Sequence, residues 1–247
     1  MRRKYIVILC VSLAVLLTCI VLLLCKNAEN RHAEEQYSDI TDEVAVPAES
    51  TTPEEPYVSP IDFEELWEIN PDVIGWIRVP GTDIDYPIMY SKDDNSYYLT
   101  HNIYGEELTS ASIFVEYYNH SDFSDFNTVI YGHNMNDGRM FGQLHRYEDR
   151  EFFDANRTVY IYLPDRTLTY RIFAAHFVSN DHILAVCKNK DPESCAAYLE
   201  SIFADESADA NVDGSVSVTT DNSIITLSTC DRYKRDQKFV IHAVLVE

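Results

Sequence analysis

The chain opens with a long apolar stretch that differs from everything after it. The residues from Tyr5 to Cys25 carry no charge and are mostly apolar. A helix rises about 1.5 Å per residue, so this stretch is long enough to cross a hydrocarbon core of ~30 Å. Arg2, Arg3 and Lys4 precede it and an acidic segment follows. This asymmetry predicts a cytoplasmic N-terminus and an extracellular C-terminal part.

A cleaved signal peptide is the alternative interpretation of this stretch. The apolar region of a signal peptide usually spans about 7 to 15 residues and ends at a small-residue cleavage site. The stretch here is longer, and no A-x-A-like site closes it. We therefore predict that residues 1–26 form a cytoplasmic tip and a single-pass anchor in the cell membrane.

The next segment has no apolar periodicity. Residues 27–60 are rich in acidic residues and proline and contain few large apolar side chains. Such a composition buries too little apolar surface to offset the entropy lost on folding. We predict a flexible acidic stalk over 27–60, which carries one folded extracellular domain over 61–247.

Alternating and continuous apolar runs predict a mainly β fold for this domain. Turn residues such as Pro80 and Gly81 separate the runs. Eight strands in one domain of this size are typical of a barrel or a sandwich. The predicted strands are Gly75–Val79, Ile84–Met89, Ala111–Tyr117, Thr128–Tyr131, Thr158–Leu163, Leu168–Phe177, Ser223–Cys230 and Phe239–Val246.

Two segments show helical spacing instead. Asp62–Trp67 places acidic residues ahead of apolar ones, and the pattern stops before Pro71. Pro192–Phe203 has apolar residues at helical spacing behind Glu193. The sequence therefore predicts a short helix at the start of the domain and another between the sixth and seventh strands.

The charge balance excludes some partners. The chain has 41 acidic and 19 basic residues, for a formal net charge of -22. Such a surface repels phosphate backbones, so nucleic acid is not an expected partner. No GxxxxGK or GxGxxG pattern is found, and no cofactor is expected.

The number and positions of the cysteines indicate one thiol as a candidate reactive group. Of six cysteines, three lie in or beside the predicted anchor, and Cys187, Cys195 and Cys230 lie in the predicted domain. An odd number in an oxidising compartment leaves at least one thiol free or paired between chains. Cys187 and Cys195 could pair with each other, which would leave Cys230.

Cys230 ends a strand pattern and begins a polar loop, a position that favours a reactive side chain. A thiol attacks a carbonyl as the thiolate, so it needs a base nearby, and an imidazole can serve. His133 also ends an apolar run and begins a polar loop. Spacing alone does not exclude other histidines, namely His101, His120, His145, His176, His182 and His242.

Two motifs resemble those of a known family. YGHNM at 131–135 resembles the histidine motif of sortases, and TLSTC at 226–230 resembles their TLxTC nucleophile strand. The order of histidine before cysteine agrees as well. Residues 70–77 and 84–87 resemble class B sortases in particular, as does a helix between the sixth and seventh strands. The resemblance covers essentially all of 61–247.

The resemblance implies an eight-stranded sortase-type β-barrel and a cysteine transpeptidase of Gram-positive bacteria. Cys230 would attack a Thr carbonyl in the C-terminal sorting motif of a secreted protein and form a thioacyl enzyme. His133 would protonate the departing amide nitrogen. The acyl group would pass to an amine of a peptidoglycan precursor or a pilin. Specificity would lie largely in the loop at 178–189.

The resemblance also implies a substrate groove and reveals one departure from the family. Asn95, Leu99, Tyr131 and Ser228 match positions that line the class B groove. Sortases carry a catalytic arginine just before the apolar start of the last strand, where this chain has Lys238. A lysine lacks the planar fork that holds a carbonyl oxygen.

Three hypotheses remain for this departure. Lys238 serves with reduced efficiency, or Arg235 or Arg232 takes the role, or the domain is a weakly active or inactive module that binds sorting peptides.

Other functional classes fit less well. Papain-like proteases place the cysteine before the histidine, and the QAC motif of caspases is absent. A zinc site built from Cys230, His133 and His242 has fewer ligands than a structural site needs, so no metal is expected.

Overall fold

The computed structural model describes residues 2–45, 57–230 and 236–246. The chain divides into two compact units, residues 1–43 and 44–247. Helix α1 (Arg2–Val44) forms nearly all of the first unit. Its segment Cys10–Thr41 is long and apolar enough to cross a membrane, judged by length and composition.

Helix α1 differs from the stalk predicted over 27–60, because the chain stays helical as far as Val44. The physical reason is local propensity. Residues 27–44 contain no proline or glycine, and they include helix formers such as Ala28 and Glu34. Residues 46–56 lie outside the described part of the chain, so the boundaries of the stalk stay a prediction.

The second unit is mainly β. Its described strands are β1 (Val73–Val79), β2 (Ile84–Met89), β3 (Ile113–Val115), β4 (Asn127–Tyr131), β5 (Thr158–Tyr162), β6 (Thr167–Ser179), β7 (Asn211–Val212), β8 (Ile224–Cys230) and β9 (Gln237–Leu245). Its α-helices are α2 (Phe63–Ile69), α3 (Arg150–Ala155), α4 (Ile183–Val186) and α5 (Pro192–Phe203). Short 3₁₀ helices occupy Tyr97–Leu99 and Gly142–Glu148.

Eight of these strands close into a barrel, as the sequence predicts. They pair in the order β5-β1-β2-β3-β4-β8-β9-β6, and pairing of β5 with β6 closes the ring. The short β7 adds to β6 outside this ring. Two of the pairs are parallel, β2 with β3 and β4 with β8. The β4–β8 pair matters most for function, because parallel strands end on the same side of a sheet.

Helix α5 forms where the sequence predicts it, with the same bounds. Proline occupies its first turn, where a missing N–H costs nothing, and Glu193 lies beside it. Its buried face, which includes Tyr198 and Ile202, packs in one cluster with Ile224 of β8 and Val240 of β9. Strands β8 and β9 are therefore buried on both faces, which explains their nearly continuous apolar sequences.

Candidate active site

The ends of β4 and β8 form the centre of the site. In this parallel pair, Tyr131 lies opposite Ser228, and the Gly132 amide donates to the Ser228 carbonyl at 3.2 Å. His133 and Cys230 each lie two residues beyond that pair. Adjacent strands lie about 4.8 Å apart. The backbone therefore brings the two predicted catalytic positions to the same end of two neighbouring strands.

Lys238 lies close to these positions along the backbone, on β9, the strand that pairs with β8. In the antiparallel β8–β9 pair, Cys230 lies opposite Lys238. The Lys238 Nζ donates to the Asp181 carbonyl at 3.4 Å. Arg232 and Arg235, the alternatives to Lys238, lie outside the described residues.

Local contacts fix the position of His133. Its carbonyl accepts the Phe141 amide at 3.0 Å, which closes the loop between them. Its Nε2 lies 2.7 Å from the Leu99 carbonyl and donates to it. The proton is thus on Nε2 in the neutral ring. Within the described part of the chain Nδ1 has no hydrogen-bond partner, so it can exchange a proton with a thiol.

Gly132 is required for close packing at the end of β4. A Cβ at this position would lie 2.5 Å from Ile113 Cδ1 and 2.6 Å from Phe141 Cγ. Phe141 is also the residue whose amide binds the His133 carbonyl. A side chain at 132 would therefore displace the segment that positions the imidazole.

We expect Gly132→Ala to lower the free energy of unfolding by about 1–3 kcal/mol, because overpacking forces neighbouring groups apart. Urea denaturation followed by tryptophan fluorescence measures the change. Gly214→Ala is the matched control, since a Cβ there meets no atom within 4 Å. Equal stability of the two variants would contradict the proposed role of Gly132.

The four predicted groove residues lie in different environments. Leu99 binds His133 through its carbonyl, and the residue is 44% exposed. The ring of Tyr131 lies 5.4 Å from the ring of Phe114. Ser228 is buried. The side chain of Asn95 accepts the Tyr117 amide at 3.0 Å, so it shapes a neighbouring turn.

The hydroxyl of Tyr131 stays protonated at neutral pH. Burial raises the pKa of Tyr131 above its usual range, and the negative charge of the Glu116 carboxylate raises that pKa further. Glu116 is fully buried. Sequence reasoning missed it, although an acidic residue inside the apolar run 111–117 was an available signal.

His242, in the middle of β9, forms a structural pair with His176 of β6. His242 Nδ1 lies 3.1 Å from the hydroxyl of Thr226. That hydroxyl donates to Asn127, so His242 donates to it from Nδ1. His242 Nε2 lies 3.0 Å from His176 Nε2, and His176 Nδ1 donates to the Asp205 carboxylate at 2.6 Å. Burial, with His176 nearby, lowers the pKa of His242 well below its usual range. Both ring nitrogens are used, so His242 is not available as a zinc ligand.

The remaining thiols of the domain are poor nucleophiles. Cys187 and Cys195 are buried, their Sγ atoms lie 4.0 Å apart, and both are free thiols. Burial raises the pKa of each one. Since only the thiolate attacks a carbonyl, both are disfavoured as nucleophiles.

Comparison with known proteins identifies the family. The family model described as Sortase domain matches residues 77–246. Sortase B of Listeria monocytogenes is 37% identical over 187 residues, which cover 75% of this chain and 74% of that protein. A Clostridium perfringens sortase B structure is 31% identical, with a TM-score of 0.68. The match covers 75% of this chain and 100% of the chain in that structure.

A further structure, sortase B of Bacillus anthracis in complex with AAEK1, is 28% identical with a TM-score of 0.72. It covers 89% of this chain and 99% of its own. The closed barrel, its strand order and these matches agree with one another, and the chain therefore belongs to the sortase family, as a cysteine transpeptidase of the sortase B type.

Proposed function

We propose that Cys230 and His133 cleave a sorting motif at a Thr carbonyl and transfer the acyl group to an amine of a peptidoglycan precursor or a pilin. The observation that carries this proposal is the parallel register of β4 and β8, which aligns the two positions at adjacent strand ends. Membership of a cysteine transpeptidase family supports it.

The proposed reaction has two acyl transfers. The Cys230 thiolate forms a bond to the Thr carbonyl carbon, and the carbonyl electrons move to oxygen. When the C–N bond breaks, protonated His133 gives its Nδ1 proton to the leaving nitrogen. An incoming amine then attacks the thioester and gives up a proton to His133. The sulfur leaves as the thiolate, so the enzyme is regenerated.

Lys238 is the proposed electrostatic partner of the oxyanion. It lies opposite Cys230 on the neighbouring strand, and the only hydrogen bond described for its ammonium group is the long one to the Asp181 carbonyl. Little interaction energy is lost when such an ammonium group turns toward the substrate. A single point charge holds the oxygen less firmly than an arginine fork would.

If Lys238 fills this role, Lys238→Ala should slow formation of the acyl enzyme by about 10- to 100-fold, as loss of an oxyanion donor does. Single-turnover mass spectrometry of the adduct measures the rate. Arg235→Ala and Arg232→Ala are the comparison variants and should change it little. The reverse pattern would assign the role to the arginine whose removal slows the reaction.

We propose that the sorting peptide lies along Asn95, Leu99, Tyr131 and Ser228. The contact between the Leu99 carbonyl and His133 supports a peptide path that passes the imidazole.

The proposed location is the cell membrane, with the N-terminus in the cytoplasm and the catalytic domain outside. The apolar stretch Tyr5–Cys25, which begins the helix long enough to cross a membrane, and the basic residues before it support a single-pass anchor. An extracellular domain would meet both secreted proteins and wall precursors.

The test uses the full-length chain in detergent with a library of sorting-motif peptides. Mass spectrometry should detect an acyl adduct on Cys230, and an added amine should convert it to a ligated product. Release of the adduct by water alone, with no ligated product, would indicate a hydrolase. Peptide binding with no adduct would support the alternative of a weakly active or inactive binding module. The presence of Lys238 in place of the arginine of other sortases is the reason for considering this alternative.

A further inference from the structure

A fully buried carboxylate lies behind the predicted groove. Glu116 directly follows β3, its amide donates to the Val129 carbonyl at 2.9 Å, and its exposure is 0%. The Tyr131 hydroxyl interacts with this carboxylate, but neither carboxylate oxygen accepts a hydrogen bond of standard geometry from the described residues. An unpaired buried carboxylate costs several kcal/mol. Glu116 therefore needs a cationic partner.

His182 supplies that partner. Its Nε2 lies 3.0 Å from Glu116 Oε2, and its side chain is 41% exposed. In the described part of the chain it is the only basic side chain within 4.0 Å of this carboxylate. The charge of the pair therefore depends on whether the imidazole carries a second proton.

The pair holds a segment that borders the catalytic positions. His182 lies in the connector, which we define as residues 180–191 between β6 and α5. The preceding residue, Asp181, accepts the Lys238 ammonium through its carbonyl. On the barrel side, the Glu116 carboxylate raises the pKa of Tyr131 at the end of β4. One carboxylate thus links the connector to the strand end that precedes the catalytic histidine.

We propose that Glu116 is a positioning residue whose pairing with protonated His182 holds the connector in place, and that affinity for the sorting peptide falls as His182 loses its proton. This proposal rests on the proposed function and adds a regulation of the same site. The direction of this pH dependence follows from the charge of the imidazole. The ion pair is present at low pH and is lost as pH rises through the range in which imidazoles deprotonate.

Other charged and titratable groups lie around His182. The ring of Tyr118 lies 6.0 Å from the imidazole. A cavity of about 550 Å³ beside His182 is lined by Asp125, Lys188 and Lys190 as well as Tyr118. The charged groups beside His182 are therefore Glu116, Asp125, Lys188 and Lys190, together with its chain neighbour Asp181. Glu116 in turn interacts with Tyr131 on the barrel side, and the Asp181 carbonyl accepts from Lys238.

The first test measures acyl-enzyme formation by the full-length chain from pH 5.5 to 8.5. The probe is the library peptide that acylates the unaltered protein fastest. We expect its KM to rise about tenfold across this range, a typical size for coupling between sites. The maximal rate, which depends on His133 and Cys230, should follow its own pH profile. His182→Gln and Glu116→Gln should each give a high KM that no longer varies with pH in this way.

The double variant and a matched control make the test specific. If the two side chains act only as a pair, the double variant should raise KM no further than either single variant. His120→Gln removes another imidazole that contacts a carboxylate, at 2.8 Å from Asp125, and should leave the pH dependence of KM intact. A KM profile that is the same in the unaltered protein and in His182→Gln would overturn the proposal.

A second measurement needs no peptide. Hydrogen exchange of the amides of 180–191 should be about tenfold faster at pH 8 than at pH 6 after correction for intrinsic rates, and His182→Gln should abolish the difference. Equal corrected exchange at both pH values in the unaltered protein would overturn the ion-pair proposal. Failure of every peptide to acylate Cys230 would instead overturn the proposed function, so the two failures are distinguishable.

Discussion

Replacing Cys230 by alanine is expected to abolish peptide ligation, with a rate loss of about 10⁴-fold or more. No other thiol of the domain can take over, because Cys187 and Cys195 are buried and burial raises the pKa of both. Water lacks both the position and the nucleophilicity of a thiolate at this strand end. Ligated product after incubation with peptide and amine, quantified by mass spectrometry, measures the effect.

Two controls separate chemistry from folding. Cys195→Ala removes a thiol of the same domain and should keep most of the ligation activity. A thiol-alkylating reagent should stop ligation in the unaltered protein and should modify Cys230 before either buried thiol. Persistent acylation of the Cys230→Ala protein would show that another group is the nucleophile.

The apolar pattern predicts the individual strands better than their pairing. All eight predicted strands occur, and the barrel closes. The parallel pairing of β4 with β8 is not encoded in either run alone, because it depends on how the whole ring closes. Strand β7, with two residues, is too short to produce a pattern.

One strand illustrates how local conformation limits a prediction. The apolar run Ala111–Tyr117 predicts a longer strand than β3, which covers Ile113–Val115. Ala111 has a φ of 50°, which a strand does not accommodate. Glu116 ends the strand at its other side, where its carboxylate is buried beside His182. The sequence does not reveal the positive φ of Ala111, and it shows only that an acidic residue interrupts the apolar run at Glu116.

The site was less predictable from residue patterns than the fold. Spacing did not separate His133 from other histidines, and the resemblance to sortases did. The structure supplies a physical reason, because several of the others are held by acidic or polar partners. His120 contacts Asp125, and His145 contacts Glu148. The contact of His133 with the Leu99 carbonyl joins distant segments, so no local pattern records it.

Replacing His133 by alanine is expected to lower the rate of acylation by about 10²- to 10⁴-fold with a peptide amide, because the leaving nitrogen loses its proton donor. The Cys230 thiol also loses the base that helps to ionise it. Single-turnover mass spectrometry of the adduct gives the rate.

A change of substrate separates these two roles of His133. With a peptide ester the leaving alkoxide needs less help from an acid than an amine does, so the variant should lose less activity on the ester than on the amide. His145→Ala is the matched control. It removes another imidazole near the same loop, one bound to Asn134 at 2.9 Å and to Glu148 at 2.6 Å, and should retain acylation. Equal losses on ester and amide would assign His133 to activation of the thiol alone, and unchanged rates on both substrates would exclude it from the reaction.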